Sequence, residues 1–260
     1  MLMKSFLKRN FKGVFVKLKS FGFDLRKVIN LRYYNKFRKQ KKEWIRQGGR
    51  ITHHHMKLSN YFGSAGTAKG QYFHQDLIVA KYVYLHNPIR HLDIASRVDG
   101  FVAHVAAFRE IEVADIRPLS QSEHDNIKFV QADLINSQSL GLTDSLSCLH
   151  AIEHFGLGRY NDPIDINGHI KGITNLVNLL KKKGRFYISF PISSKEEIHF
   201  NAGRVLNPTF ILSHESIKDK MQFIRFDYVD DKGDLHLNTS IQKVEKNISL
   251  GCGIYTFEKL

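Results

Sequence analysis

The sequence predicts an α/β fold: a Rossmann-like, mainly parallel sheet with an antiparallel C-terminal edge, preceded by a basic helical N-terminal segment. Short apolar strands alternate with helices between residues 91 and 190. Two further strands, 222–229 and 250–258, follow, with a turn signal at 230–234 and no helix of normal length between them. Alternating strands and helices favour a parallel sheet, and a closing pair of strands favours an antiparallel edge.

The net charge of +14 is concentrated at one end of the chain. Residues 1–50 contain 16 lysine and arginine residues against two acids, whereas the charges of residues 51–260 balance to zero. We therefore predict a basic amphipathic segment, 1–50, and an α/β domain, 51–260. No apolar run reaches 18 residues, so no transmembrane helix is predicted. Two cysteines do not make a disulfide framework, and a cytoplasmic setting is expected.

The first 21 residues have the pattern of a basic amphipathic helix. Apolar residues recur every three or four positions from Met3 to Phe21, and lysines lie on the other face. Such a helix suits an anionic membrane surface. Three alternatives stay open: packing on the domain, a targeting peptide, or nucleic-acid binding through the basic and aromatic run at 32–42.

The elements of the α/β domain can be assigned in chain order. Helices are predicted at 74–86, 100–109 and 166–182, the last ended by the run Lys181–Gly184, which is typical of a helix C-terminus. The predicted strands before the closing pair are His91–Ile94, Ile111–Ile116, Ile127–Val130, Ser145–Leu149 and Arg185–Phe190.

A polar residue closes or follows each of the first four strands. Asp93 closes the first, Asp115 the second, Asp133 follows the third and His150 follows the fourth. In open parallel sheets the ligand lies at the carboxyl ends of the strands, and an acid about 20 residues beyond the first turn bonds ribose hydroxyls. Asp115 comes 22 residues after Asp93. The alternative is that these residues are ordinary polar loop positions.

Several runs of the sequence resemble the DUF268 family, which itself resembles the class I S-adenosylmethionine-dependent methyltransferases. The longest is DSLSCLHAIEHFGLGRYNDPID at 144–165. The others are HLDIASRVDGFVAHVAAF at 91–108, ADIRPL at 114–119, YFHQDL at 72–77, FNAGR at 200–204 and GCGI at 251–254. The resemblance covers about residues 70 to 260 and leaves the basic segment outside.

The resemblance implies S-adenosylmethionine as cofactor and a role for each strand-end acid. Asp93 is implied to lie near the methionine amino group, Asp115 to bind the ribose and Asp133 to lie beside the adenine amine. Ala95, Ser96 and Gly100 form the implied cofactor loop. This loop departs from the usual glycine-rich pattern, because Ala95, Arg97 and Asp99 occupy the positions of three glycines.

The run His150-Ala151-Ile152-Glu153-His154 also matches the H-x-x-E-H pattern of inverted zinc peptidases. That chemistry needs the motif inside a long helix, and here an apolar strand precedes it and glycines follow, so no metal site is predicted. We interpret the run as catalytic: His150 or His154 acts as general base, and Glu153 orients it. The alternative is that these residues only order the loop by hydrogen bonds.

These observations predict a methyltransferase-like protein that acts on a hydroxyl of a glycan or lipid-linked sugar in polysaccharide biosynthesis. The residues expected to bind the substrate are Arg159, Asp162, Asn201 and Arg204. Residues 1–50 would hold the protein peripherally at the inner face of the membrane. Two other functions remain open: a non-catalytic binding module on a methyltransferase fold, and an RNA methyltransferase with a basic arm.

Overall fold

The computed structural model describes residues 29–119, 122–136 and 140–260, apart from the side chain of Phe62. The helix predicted over the first 21 residues lies outside these ranges. The chain divides into a unit that ends at Thr67 and a unit from Ala68 to Leu260. Within the described ranges, no helix is long and apolar enough to cross a membrane.

The described part of the first unit is short and helical. It contains the 3-10 turn Asn30–Tyr33, helix α1 (Tyr34–Arg46) and the 3-10 turn Leu58–Phe62. Helix α1 has no buried residue, and Trp44 on it is 57% exposed.

The second unit is built on an eight-stranded sheet, which confirms the predicted fold class. Its strands, in sheet order, are β3 (Ile127–Gln131), β2 (Ile111–Asp115), β1 (His91–Ile94), β4 (Thr143–Leu149), β5 (Leu180–Ile192), β10 (Gly251–Lys259), β8 (Met221–Val229) and β9 (Leu235–His236). The first five are parallel, and β10 pairs antiparallel with both β5 and β8. A separate hairpin joins β6 (Glu197–His199) to β7 (Gly203–Val205).

Helices connect these strands. They are α2 (Gln71–His86), α3 (Ala103–Ala106) after a π-turn at Val98–Val102, α4 (Gly168–Asn178), α5 (Phe210–Ser213), α6 (Glu215–Lys220) and α7 (Ile241–Glu245). Helix α2 ends where Asn87 adopts a left-handed conformation, and Pro88 follows. Both features are typical helix stops.

Two apolar clusters form the core. One includes Ile173 and Leu176 of α4 with Leu146 of β4, and the other includes Val79 of α2 and Val113 of β2. Strand β1 is buried along its whole length, as expected for a central parallel strand. The sheet therefore has a rigid centre, and the loops at its carboxyl edge extend from it.

Two features differ from the sequence prediction. Helix α4 ends at Asn178, not at residue 182, because β5 begins at Leu180 and takes up the lysine run. Lys183 has a φ of +63°, and a Cβ on Gly184 would lie 2.8 Å from the Lys181 carbonyl, so these residues form an irregularity at the start of the strand. The β6–β7 hairpin and the short helices α5 and α6 were not predicted.

Candidate active site

A cleft opens at the carboxyl ends of β1, β2, β3 and β4. Its lining is mostly apolar, with polar groups from each strand end: Ile94, Ala95, Ala114, Asp115, Ile116, Arg117, Ala132, Asp133, Leu134, Ile135, His150, Ala151, His154, Phe155, Tyr160 and Asp162. The structure thus brings together six of the residues proposed from sequence, in the place where ligands bind such sheets.

At the end of β1, Asp93 is fully buried and does not line the cleft. Its carboxylate accepts hydrogen bonds from the Ser96 backbone N–H (3.0 Å) and hydroxyl (2.7 Å), and from the Ser147 hydroxyl (2.5 Å). Burial raises the pKa of Asp93 to about 7 against the effect of these hydrogen bonds. Asp93 and Ser96 therefore stabilise the conformation of the cofactor loop without lining the cleft.

The cofactor loop has a backbone conformation typical of glycine at position 95, although the residue there is alanine. Ala95 lines the cleft with a φ of +58°, in the left-handed region that favours glycine. Gly100 lies away from the cleft lining, and a Cβ there would come within 2.5 Å of Asp76 Oδ2 on α2. Contact with α2 is thus sufficient reason for glycine at position 100.

Asp115, at the end of β2, is mostly buried and already has a cationic partner. One oxygen accepts the Arg117 backbone N–H at 2.8 Å, and the Arg117 guanidinium bonds both oxygens. Asp133, after β3, accepts the Ile135 N–H at 2.9 Å and the Asn136 amide at 2.6 Å. A carboxylate has about four acceptor positions, so Asp133 retains capacity for a ligand, whereas both oxygens of Asp115 are occupied by Arg117.

The residues after β4 form a compact polar group. His150 has a φ of +49°, and its Nδ1 lies 3.0 Å from Glu153 Oε1. His154 Nε2 lies 3.8 Å from the same oxygen. Glu153 and His154 belong to a single 3-10 turn, Ile152–His154, and not to a long helix. Across the described ranges, no group of three or more His, Cys, Asp or Glu side chains is arranged to hold a metal ion.

The two histidines have opposite electrostatic environments. Burial lowers the pKa of His154 below its ordinary value, and the Arg159 cation adds to this effect against the Glu153 carboxylate. Burial also opposes charge on His150, but the Cys252 sulfur and the Glu153 carboxylate outweigh it and raise the pKa of His150. His154 is therefore the less basic imidazole of the pair, and His150, beside Glu153, is the more basic one.

The four residues predicted to bind substrate have different positions. Asp162 lines the cleft, and its carboxylate accepts three backbone N–H groups of its own loop. Arg159 is exposed beside His154. Arg204 is buried and donates to the carbonyls of Glu153 and Phe155, so it holds the loop from beneath. Asn201 lies in the turn between β6 and β7, outside the cleft lining.

Three residues around His150, namely Tyr72, Gln75 and Cys252, were not predicted from the sequence. The Tyr72 ring lies 5.0 Å from the His150 ring, between centroids, and the Cys252 thiol donates to Gln75 Oε1 at 3.5 Å. These residues come from α2 and β10, far from His150 in the chain. A signal was nevertheless present, because all three lie in the YFHQDL and GCGI runs that carry the family resemblance.

The cleft fits the nucleoside part of S-adenosylmethionine. Apolar side chains, including Ile94, Leu134 and Phe155, line it together with the two strand-end acids, Asp115 and Asp133. An apolar lining suits a purine ring, and the carboxylates supply acceptors for hydroxyl and amine groups.

Comparison with known structures supports the fold. The chain has the fold of the class I S-adenosylmethionine-dependent methyltransferases. The N-methyltransferase NodS from Bradyrhizobium japonicum WM9, solved in complex with S-adenosyl-L-homocysteine, superposes with a TM-score of 0.50 at 13% identity, over 73% of this chain and 88% of that one. The [4+2]-cyclase SpnF superposes with a TM-score of 0.52 at 13% identity, over 82% and 90%.

The family resemblance is also confirmed. The DUF268 family model, described as "Caenorhabditis protein of unknown function, DUF268", matches residues 122–231. No curated protein matches the sequence. The matched range contains the polar group after β4 and the hairpin β6–β7.

Proposed function

We propose that this protein is an S-adenosylmethionine-dependent methyltransferase that methylates a hydroxyl group. The observation that carries the proposal is the cleft, where two strand-end acids and a histidine of lowered pKa, His154, line one space. When bound, the cofactor would supply a sulfonium-activated methyl group. What remains for the protein is to align the acceptor, which contributes several kcal/mol, about 7–11 in favourable cases, and to remove a proton.

Asp115 and Asp133 would hold the nucleoside, and Ala95 would adjoin it at the loop. Asp93 and Ser96 would act indirectly, because they are buried behind the loop and fix its shape. Gly100 would also act on the loop's shape, through its contact with α2.

His154 would accept the proton of the acceptor hydroxyl, since a base must be neutral before it acts. Its side chain lines the cleft, whereas the side chain of Glu153 is 2% exposed. Glu153 would orient both histidines, and His150, 3.0 Å from Glu153 Oε1, would fix Glu153 in return.

The acceptor we propose is a glycan or a lipid-linked sugar in polysaccharide biosynthesis. Arg159, Asp162 and Asn201 support this with polar groups near the cleft. The basic segment, 1–50, supports a peripheral position on the cytoplasmic face of a membrane, because each basic residue near an anionic surface contributes about 1 kcal/mol.

One observation favours a second candidate, a non-catalytic binding module. Arg117 already neutralises Asp115, and Ala95 places a methyl group in the loop. The Arg117 pair leaves Asp115 with less free charge for a cofactor, and the Ala95 methyl group leaves less space for one.

Binding of S-adenosylhomocysteine decides between these candidates. We expect millimolar ligand to raise the melting temperature, because a ligand that binds only the native state stabilises it. Asp115→Ala should remove most of the shift, whereas Asp219→Ala, at an exposed acid of α6, should keep it. Absence of any shift for the wild-type protein would refute the proposed cofactor and favour the binding module.

A further inference from the structure

Two arginines flank one tyrosine of the cleft. The Arg117 Cζ lies 4.4 Å from the centroid of the Tyr160 ring, and the Arg159 Cζ lies 5.3 Å from it. The His154 ring meets Tyr160 edge-on, with centroids 5.8 Å apart. Guanidinium groups at these distances are attracted to the ring, so Tyr160 fixes two cations beside the candidate base.

The two cations differ in their partners. Arg117 is paired with Asp115, whereas Arg159 donates to the Ala202 carbonyl and approaches both ring nitrogens of His154 at 3.4 Å. Within the described ranges, no carboxylate lies at ion-pair distance from Arg159. Asp162, three residues further along the same loop, uses its oxygens on the N–H groups of Gly156, Gly158 and Tyr160.

The Arg159 guanidinium is held by the Ala202 carbonyl and the Tyr160 ring, next to the candidate base, and no carboxylate among the described residues pairs with it. A planar guanidinium binds phosphate through parallel hydrogen bonds, which adds geometric selectivity to the charge attraction. The second guanidinium, of Arg117, packs on the same ring, with its charge balanced by Asp115.

We propose that Arg159, supported by Tyr160 and Arg117, binds a phosphate group carried by the acceptor. The identification of the ligand as acceptor rests on the proposed function, but the phosphate site itself does not. A free sugar phosphate and a lipid-linked sugar would present the same group. The phosphate would hold the acceptor by its charged end and leave a hydroxyl beside His154.

Phosphate bound at Arg159 would change the basicity of His154, the candidate base. His154 is faced by Glu153 at 3.8 Å, by Arg159, by His150, by the Ala202 carbonyl and by the Tyr160 ring. A phosphate bound to Arg159 would neutralise a cation that disfavours protonated His154. Acceptor binding therefore makes His154 a stronger base in the complex than in the free enzyme.

Inorganic phosphate is a direct probe. We expect millimolar phosphate, at constant ionic strength set with sodium chloride, to move the NMR signals of the His154 ring and to raise its titration midpoint. Arg159→Gln should weaken phosphate binding at least tenfold, and Arg159→Lys should weaken it less. Lys243→Gln, which removes an exposed charge on α7, should bind phosphate like the wild type.

Three results would overturn the inference: equal phosphate affinity in Arg159→Gln, an unchanged His154 ring at saturating phosphate, or acetate binding as tightly as phosphate. Melting curves of each variant check the fold, which an exposed side chain such as Arg159 should not affect. S-adenosylhomocysteine should bind wild-type protein and Arg159→Gln equally. If it binds neither while the phosphate results hold, the proposed function fails and the phosphate site stands.

To separate the two phosphate sources, glucose 1-phosphate is compared with vesicles that contain a polyprenyl-phosphate sugar. A free sugar phosphate as ligand predicts Arg159-dependent binding of glucose 1-phosphate in solution. A lipid-linked ligand predicts Arg159-dependent binding to those vesicles and little to the soluble compound. If neither glucose 1-phosphate nor the vesicles bind in a way that depends on Arg159, the phosphate ligand is not the methyl acceptor.

Discussion

Arg117 bonds both carboxylate oxygens of Asp115: its Nε lies 3.0 Å from Oδ1, and its Nη2 lies 2.5 Å from Oδ2. The side chain of Asp115 is 10% exposed and that of Arg117 is 44% exposed. A ribose that reached Asp115 would therefore meet an acid whose charge is already balanced. The pair links the proposed cofactor site with the proposed phosphate site through one guanidinium.

Replacing Arg117 should change the affinity for the nucleoside by a small factor. We expect Arg117→Ala to strengthen S-adenosylhomocysteine binding, because Asp115 becomes free to accept ribose hydroxyls. A half-exposed ion pair contributes about 0–1 kcal/mol, so the gain should be at most about fivefold. Calorimetric titration measures it, and Lys128→Ala, which breaks a surface pair with Glu110, serves as control. Weaker binding would mean that Arg117 itself contacts the ligand.

The pH dependence of turnover should identify the base. His154→Ala should lower kcat by roughly 10² to 10⁴ and leave cofactor binding intact. A base works only when deprotonated, so the wild-type kcat/KM, which reports the free enzyme, should fall as the pH drops through the lowered pKa of His154 and level off above it. His199→Ala, at an exposed histidine of β6, controls for general effects. An inflection above the ordinary histidine pKa would instead assign the base to His150.

The backbone at Ala95 predicts a stabilising substitution. A non-glycine residue in the left-handed region costs about 1–2 kcal/mol, and the extra freedom of glycine in the unfolded chain costs about 0.4–1 kcal/mol. Ala95→Gly should therefore raise the free energy of unfolding by about 0.5–1 kcal/mol. Ala103→Gly, at an exposed position of α3, should lower it by about 1 kcal/mol. Urea denaturation compares the two, and a loss of stability in both would contradict the strain argument.

Asp93 should make the protein less stable as the pH rises. Its folded pKa of about 7 lies above the unfolded value of 3.8, so the native state holds a proton that the unfolded state releases. This contribution is fully present below 3.8 and is lost between pH 4 and 7, at about 1.4 kcal/mol per pH unit. Asp93→Asn cannot ionise, so its stability relative to wild type should rise over that range. A constant difference from pH 4 to 8 would show that Asp93 is ionised in the native protein.

The basic segment should bind anionic membranes. We expect liposomes with anionic lipid to sediment the full-length protein, and salt to weaken this, because exposed charges are screened over about 8 Å at physiological ionic strength. A truncation that begins at Gly49 should remain folded and stay in the supernatant. Equal binding to neutral liposomes would exclude electrostatics as the cause. Tight binding to RNA without binding to liposomes would favour the RNA methyltransferase.

The central strands β1 and β4 could be predicted because burial on both faces leaves continuous apolar runs that end in polar residues. The end of α4 could not, because a lysine run followed by glycine stops a helix and equally begins a strand with an irregularity, as it does at Lys183. The β6–β7 hairpin was missed because its first strand is wholly exposed and has no apolar alternation.

The candidate site was predicted in position but not in detail. Asp93 and Asp115 look alike in sequence, yet the first is enclosed by two serines and the second lines the cleft. The difference is tertiary, since Ser147 approaches Asp93 from a neighbouring strand. The partners of His150 from α2 and β10 are also long-range contacts, which no local pattern encodes.

Arg204 has a kinetic consequence. From its buried position it donates to carbonyls on both arms of the loop after β4, of Phe155 at 2.8 Å and of Ile166 at 3.5 Å. The arms approach so closely that a Cβ on Gly156 would lie 2.1 Å from the Asp165 carbonyl oxygen. One wall of the cleft thus keeps its shape before any ligand arrives. Ligand entry should follow single-step, concentration-proportional kinetics without a slow isomerisation, and ligands soaked into ligand-free crystals should enter without cracking them.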